Sequence, residues 1–492
     1  MSTELMQVNA MLNGQNFVAG EWRDGADWIE DINPSDVTDI VGRFAQAQPS
    51  DIHDAVAAAQ GAQREWAAAG LESRAAVLDT IGRELMARSK ELGELLSREE
   101  GKILAEGVGE VYRAGQFFTY FAAEALRNLG SSAESVRAGV DVLIEREPLG
   151  VVAIISPWNF PIATASWKIA PALAFGNAVV WKPASVTPAS AWALTEIISR
   201  QAIPKGLFNL VMGSGSTIGR ELAANADIQG LSFTGSGAVG SGIAALAATR
   251  FVKLQLEMGS KNPFVVMDDA DLDRAVDLAV NGAFGGSGQK CTAASRMIVH
   301  RPVHDAFVEK LLAKTKALKV GHALEAGVQM GPVVSAGQLS ANLDYVTLGK
   351  SEGAELATGG EALDLAHRGH YMAPAVFLNG RSLMRINQEE MFAPITCVLT
   401  AGDLDEAIFL ANDTPYGLTA GIATRSLARA TKFRRASRSG CVMVNLATAG
   451  TDYHVPFGGV RASSYGPREQ GRAAVEFYTQ AKTSYIHAGA AE

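Results

Sequence analysis

A chain of 492 residues is longer than one hydrophobic core normally organises, so two or three domains are expected. With 48% hydrophobic and 19% charged residues, the composition is that of a folded globular protein and excludes a disordered or fibrous one. The formal net charge of -9, with no Lys/Arg block interleaved with aromatics, gives no field for polyanions, so no nucleic acid is expected as a partner.

Near the N-terminus, Glu4, Glu21, Asp24 and Asp27 interrupt any apolar core of the kind a secretory or transit segment carries. No run reaches the roughly 18 apolar residues of a membrane span; the nearest approach is broken by Lys168, Pro171 and Gly176. A cytoplasmic protein with no membrane partner is expected. From Asp51 to about Lys102, apolar residues recur at helical spacing through Ala55, Val56, Leu78, Ile81, Leu85, Leu92 and Leu95, which predicts two amphipathic helices. Gly139 to Glu145 alternates well enough for a strand.

From Val151 the pattern changes to short apolar strands, Val151–Ile155, Ala178–Trp181, Phe208–Met212 and Leu231–Phe233, separated by helical stretches such as Ala189–Ala202 and Ala238–Ala248. This alternation predicts an α/β fold with a doubly wound parallel sheet, whose ligand crevice lies beyond the carboxyl ends of its strands. One more strand, Val252–Leu256, runs into Glu257. Beyond it, strand Phe264–Met267, a helix from about Asp271 to Phe284 and strand Met297–His300 predict a second α/β domain, with Cys291 in the loop before the last strand.

Three cysteines, Cys291, Cys397 and Cys441, make no disulfide framework and no zinc-like spacing, so reduced thiols and no metal are expected. Cys397 and Cys441 sit in apolar, strand-like runs and are assigned to the core. Cys291 differs: Gly288-Gln289-Lys290-Cys291-Thr292-Ala293 places a thiol in a small-residue loop. Glu257 ends its apolar strand before Met258-Gly259-Ser260-Lys261-Asn262-Pro263, where partial desolvation should raise a carboxyl pKa and suit it to general-base work.

These two segments, together with Pro157-Trp158-Asn159-Phe160-Pro161, resemble the aldehyde dehydrogenase superfamily over nearly the whole chain. The resemblance implies NAD(P)-dependent oxidation of a small-molecule aldehyde to a carboxylate. A carbonyl carbon is a poor hydride donor until a thiolate makes it tetrahedral, so Cys291 is the expected nucleophile and Glu257 the base that activates water against the thioester left behind. Asn159 and the Cys291 amide take the oxyanion role. Ser260 stands where the family usually has a second Gly, and a Cβ there is expected to restrict the backbone or crowd the nicotinamide side.

The resemblance also implies a dinucleotide site built from Ile155, Ser156, Trp158, Lys182, Ser185, Gly215, Phe233, Thr234, Gly235, Ser236, Glu390 and Phe392. Lys182 would reach the adenosine ribose, Glu390 the nicotinamide ribose and Phe392 the ring. NAD-specific relatives usually carry Glu where Ser185 stands, so NADP is expected to be tolerated or preferred. Phe160, Trp167 and Phe457 would line an apolar approach to Cys291. Within the superfamily, Val455 to Val460, Ser463 to Gly471 and Pro161 to Lys168 look most like the α-ketoglutaric semialdehyde dehydrogenase branch, with succinic semialdehyde or aromatic aldehydes as alternatives. An anionic substrate needs a cation; Arg296 is the first candidate, with Arg461 and Lys168 behind it, and the opposing reading fixes Arg296 to backbone carbonyls or an internal acid. A coenzyme A-acylating enzyme and a non-catalytic relative are the competing classes. The expected domains are 1–130 with 149–256 for the dinucleotide, 257–455 for catalysis, and 131–148 with 473–492 as a small β flap pairing subunits of a homodimer or homotetramer.

Overall fold

The structure, a computed structural model, describes residues 11–127 and 130–489. The parts of the expected segments at 1–10, 128–129 and 490–492, Glu4 among them, lie outside the described residues.

Five parallel strands form the middle of an eight-stranded sheet, in the order Lys253–Glu257, Gly230–Thr234, Val151–Ile155, Ala178–Lys182 and Phe208–Leu210. Ser464–Tyr465 closes one edge and the Asn16–Val18 and Glu21–Arg23 hairpin the other, all antiparallel. Val151–Ile155 and Ala178–Lys182 are buried along their whole length. Helices cover both faces of such a strand, which is why these two read as unbroken apolar runs. Chain order runs outward in both directions from Val151–Ile155, so the switch point, where such sheets open a ligand crevice, falls between it and Gly230–Thr234.

Where two helices are expected, three form: Pro49–Ala68, Leu71–Ala87 and Ser89–Glu100. The backbone turns extended at Ala69, Gly70 precedes the second helix, and Arg88 at φ -94°, ψ 12° breaks the turn between the second and third. Left-handed Gly101 (φ 94°) ends the third. The next element, the Leu104–Ala125 helix, falls where no element is expected. It buries Val111, Ala114, Phe117, Phe118 and Phe121, and with them Glu110.

The second sheet has seven strands, in the order Glu355–Thr358, Ala375–Leu378, Ile395–Ala401, Ala294–His300, Asn262–Val266, Thr419–Ala423 and Cys441–Val444. All neighbours are parallel except the first pair. The chain passes from one sheet to the other between Glu257 and Asn262, so the two sheets meet where Glu257 stands.

A third, antiparallel sheet joins Ser131–Glu134, Val140–Pro148 and Thr479–His487. Its C-terminal strand starts at Thr479, later than position 473, because Ala474, Val475, Phe477 and Tyr478 belong to the core of the eight-stranded sheet. Leu12–Gly14, Ile40–Gln46 and Asp27–Ile32 make a small N-terminal sheet. No described helix is long and apolar enough to cross a membrane.

Candidate active site

Ile155, Lys182, Thr234 and Glu257 each end one of four neighbouring parallel strands, so the first sheet presents them in a row at its carboxyl edge. Ser156 donates its N–H to the Lys182 carbonyl at 3.2 Å and receives the Trp181 indole N–H on Oγ at 2.9 Å. Burial pushes the Lys182 ammonium down to about 8.

Cys291 follows a turn in which Gly286, Ser287 and Gly288 all have positive φ (58°, 55° and 67°). Glycine is required at 288, where a Cβ would collide with the Ala393 carbonyl. Asn262 Nδ2 then clamps the loop by donating to the carbonyls of Cys291 (2.8 Å) and Ala293 (2.9 Å), and Thr448 Oγ1 holds that of Thr292 (2.7 Å). Burial pushes the Cys291 thiol up, with Glu390, Glu257 and Glu469 adding to the rise and its own backbone N–H opposing it. The resting side chain is therefore a neutral thiol that must lose its proton before it attacks.

Asn159 is fixed from two sides. Its Nδ2 donates to the Gln289 carbonyl at 2.9 Å, leaving the second amide hydrogen unused by that contact, and its own carbonyl accepts from Lys102 Nζ at 2.6 Å. Lys102 pairs with Glu110 at 2.6 Å, and Glu110 Oε1 accepts the Ile162 and Ala163 N–H groups, both at 3.1 Å. A buried charge is costly unless paired and hydrogen-bonded, and this ion pair meets both conditions.

Glu257 Oε2 accepts from Ser464 Oγ at 2.6 Å. Burial holds its carboxyl well above the usual range, Glu469 raises it further, and Ser464, Lys168 and Arg468 oppose the rise. Lys168 is itself fully buried, paired with Glu469 and donating to Ser232 Oγ at 2.8 Å.

Two cavities meet at Cys291. One, of about 240 Å³, is lined by Trp158, Thr234, Gly235, Ser236, Glu257, Met258, Gly259, Glu390 and Phe392. The other, of about 280 Å³, is lined from the Leu104–Ala125 helix by Glu106, Glu110, Arg113 and Phe117. Asn159, Phe160, Trp167, Cys291 and Phe457 line both. The first cavity fits a dinucleotide head. Thr234 Oγ1 is buried there without a hydrogen-bond partner among the described residues. Ser236 caps the Gly237–Ala248 helix, whose N-terminal N–H groups suit a phosphate. A Cβ at Gly259 would collide with the Glu390 carboxylate, so the glycine lets that acid into the cavity. Burial pushes Glu390 up to about 7, and Phe392, at φ 55°, meets Trp158 edge-on at 5.3 Å between centroids. Ile155, Ser156, Lys182, Ser185, Gly215 and Phe233 lie outside this cavity, along the strand ends and turns beside it: Phe233 is buried and Ser185 Oγ donates to the Gly213 carbonyl at 2.9 Å. Gly215 opens a π-helical turn, Gly215–Gly219, and Gly219 faces the Lys182 stem.

Several expectations are corrected. Arg296 is 0% exposed and lines neither cavity. Its guanidinium donates to the carbonyls of Lys261, Leu410 and Ala411 at 3.0 to 3.2 Å, so it is fastened to the backbone and is not a receptor for substrate. Lys168 is committed to Glu469, and Arg461 donates to the Asn412 and Thr414 carbonyls. Ser260 has no positive φ and does not crowd the cofactor cavity: its Oγ donates to Asn262 Oδ1 at 2.7 Å, and its N–H holds Glu390 Oε1 at 2.9 Å. Cys397 is buried as expected, whereas Cys441 is only partly so.

Lys102, Glu110, Arg113 and Glu469 were absent from the sequence expectation. One signal was available for Glu110: a carboxylate on the apolar face of a helix must have an internal partner.

A family model for the aldehyde dehydrogenase family matches residues 22–484. Among curated proteins, an α-ketoglutaric semialdehyde dehydrogenase of Bacillus subtilis is 40% identical over 96% of this chain and 97% of its own length. An α-ketoglutarate semialdehyde dehydrogenase of Haloferax volcanii is 40% identical over 96% and 98%. Among solved structures, betaine aldehyde dehydrogenase from Staphylococcus aureus in complex with NAD+ superposes with a TM-score of 0.95 at 32% identity, covering 97% of this chain and 96% of that one. On a match that spans both large sheets and the flap, the chain belongs to the aldehyde dehydrogenase family and is an NAD(P)-dependent oxidoreductase acting on aldehydes.

Proposed function

We propose that this chain oxidises α-ketoglutaric semialdehyde to 2-oxoglutarate through a thiohemiacetal and a thioester on Cys291, with NADP tolerated or preferred over NAD. The observation that carries the chemistry is the meeting of two cavities at Cys291, with Asn159 in both walls and Glu257 in one. The names of the relatives from Bacillus subtilis and Haloferax volcanii support the substrate.

The Cys291 thiol gives its proton up to solvent, and the sulfur attacks the aldehyde carbon. The oxygen that gains the electron pair is met by the free Asn159 Nδ2–H and the Cys291 N–H, preplaced donors that need no rearrangement. The dinucleotide, when bound, supplies the acceptor for the hydride that leaves this carbon. Trp158, Glu390 and Phe392 line the cavity that would hold it. Glu257 then takes a proton from water, whose hydroxide attacks the thioester, and collapse of the tetrahedral adduct returns Cys291 thiolate and releases the carboxylic acid. A coenzyme A-acylating enzyme hands the acyl group to a thiol and needs no such base, so the buried Glu257 argues against that class. Ser185 carries no charge to repel a 2′-phosphate, and Lys182, three residues before it, is unpaired by any carboxylate among the described residues, which favours NADP. The flap exposes Leu143, Tyr485 and Ile486 and supports a homodimer or homotetramer, and three free thiols suit a reducing cytoplasm.

Release of NADPH or NADH across dicarboxylic semialdehydes, aliphatic aldehydes and aromatic aldehydes tests this reading. The highest kcat/KM is expected on α-ketoglutaric semialdehyde; a higher value on aromatic or uncharged aliphatic aldehydes would replace it.

A further inference from the structure

Besides Cys291, the substrate-side cavity contains six ionisable lining side chains: Glu100, Lys102, Glu106, Glu110, Arg113 and Lys290. Five are committed to one another. Lys102 pairs with Glu110 at 2.6 Å and lies 3.9 Å from Glu100, and Lys290 pairs with Glu106 at 2.8 Å. Arg113 differs. Among the described residues no carboxylate pairs with it, and its guanidinium carbon lies 5.4 Å from the centroid of the Tyr453 ring. Stacking on a ring face leaves the guanidinium edge, with its fork of N–H donors, free.

The position of Arg113 along its helix gives the free cation a meaning. Glu106, Glu110, Arg113 and Phe117 project from one face of the Leu104–Ala125 helix, as their spacing requires. Glu110 marks the reacting end, since it binds the Ile162 and Ala163 N–H groups and the lysine that holds the Asn159 carbonyl. Arg113 sits three residues further on, roughly 4.5 Å along the axis, and is only half-buried. The same cavity has an apolar sleeve. Phe117 meets Trp167 at 5.7 Å and Tyr453 at 6.4 Å, and Trp167 meets Phe457 at 5.9 Å between centroids. A ligand with its aldehyde at Cys291 and a short chain along this sleeve would bring its far end to Arg113.

We propose that Arg113, held against Tyr453, receives the carboxylate of the substrate at the end remote from the aldehyde and so sets the preference for semialdehyde acids. This assignment rests on the semialdehyde reading given above and names the residue that carries it. A charge-assisted, two-pronged hydrogen bond is the strongest neutralisation available to a carboxylate at a partly wet site, and a neutral replacement forfeits it.

The test compares wild type, Arg113→Met and Arg113→Lys on α-ketoglutaric and succinic semialdehydes and on pentanal and butanal. Arg113→Met is expected to lower kcat/KM on both semialdehyde acids by about 10- to 100-fold, through KM, the range expected for a lost hydrogen bond to a charged group. It should change the uncharged aldehydes less than about 3-fold, and Arg113→Lys should recover part of the loss as a single-point cation. A wild-type preference for acids that survives Arg113→Met overturns the Arg113 assignment and leaves the semialdehyde reading standing. Equal losses on charged and uncharged substrates, with a lowered melting temperature, make Arg113 structural and overturn it. A wild type with no preference for acids overturns the semialdehyde reading and this assignment together.

Discussion

The two cavities that converge on Cys291 draw on the chain in different ways. The cofactor side is assembled from consecutive runs that follow strand ends: Pro157 to Phe160, Thr234 to Ser236 and Glu257 to Gly259. The substrate side takes single side chains at helical spacing from Leu104–Ala125 and joins them to the Ala449 to Thr451 loop from the far end of the sequence. Runs at strand ends are fixed by the sheet itself, because a parallel strand delivers whatever follows it to the same edge. A helix face becomes a wall only through its packing. The first arrangement suits machinery common to a family, and the second suits discrimination among substrates.

The largest expected effect strikes the point both cavities share. Cys291→Ala should abolish dehydrogenase and esterase turnover, a loss of about 10⁴-fold or more for removal of a covalent nucleophile. Rates of NAD(P)H formation and ester hydrolysis by the purified variant check this. Retained turnover in either assay would remove Cys291 from the mechanism.

The asymmetry between the cavities also explains what was legible beforehand. Cys291, Asn159 and Glu257 were read from short runs whose neighbours share their role, and the strands at Val151, Ala178 and Leu231 were read from buried apolar runs. Lys102 and Arg113 carry no local signature, and Glu110 signals only that it needs an internal partner: their meaning depends on how this part of the chain meets the Pro157 to Ala163 turn, a contact between segments some 50 residues apart. The same blindness made Arg296 look like an anion receptor. Five residues after the nucleophile it is close in sequence, yet its strand turns the side chain into the interior toward the Lys261 and Leu410 carbonyls. Ser260 was misjudged because a substitution for glycine suggests strain. Its backbone has no positive φ, so a Cβ meets no conformational cost there.

A second perturbation asks whether the helical wall reaches the chemistry. Lys102→Met leaves Glu110 buried without its cation and frees the Asn159 carbonyl. Breaking a buried pair from one side costs about 3 to 5 kcal/mol, and a misplaced oxyanion donor lowers kcat by about 10²-fold. Thermal unfolding and kcat should therefore fall together. Unchanged kcat in a destabilised protein would confine the pair to a structural role.

The smallest effect is expected at the outer edge of the cofactor side. Ser185→Glu should raise KM for NADP by about 10-fold and that for NAD by less than 3-fold, since like-charge repulsion at a partly exposed site is worth little more than 1 kcal/mol. Steady-state kinetics with both dinucleotides check this; an unchanged ratio would remove Ser185 as the selector.

The central claim is that one sulfur and one desolvated carboxylate divide the reaction into acylation and hydrolysis. Rapid-mixing measurement of reduced cofactor by Glu257→Gln tests it most directly. The account predicts a burst of about one equivalent per active site followed by steady turnover reduced at least about 100-fold, because the thioester forms and then waits for water. In the wild type the steady phase should quicken as pH rises through the elevated Glu257 pKa, since only the ionised carboxylate can accept the proton from water. Full steady turnover by Glu257→Gln would contradict the account.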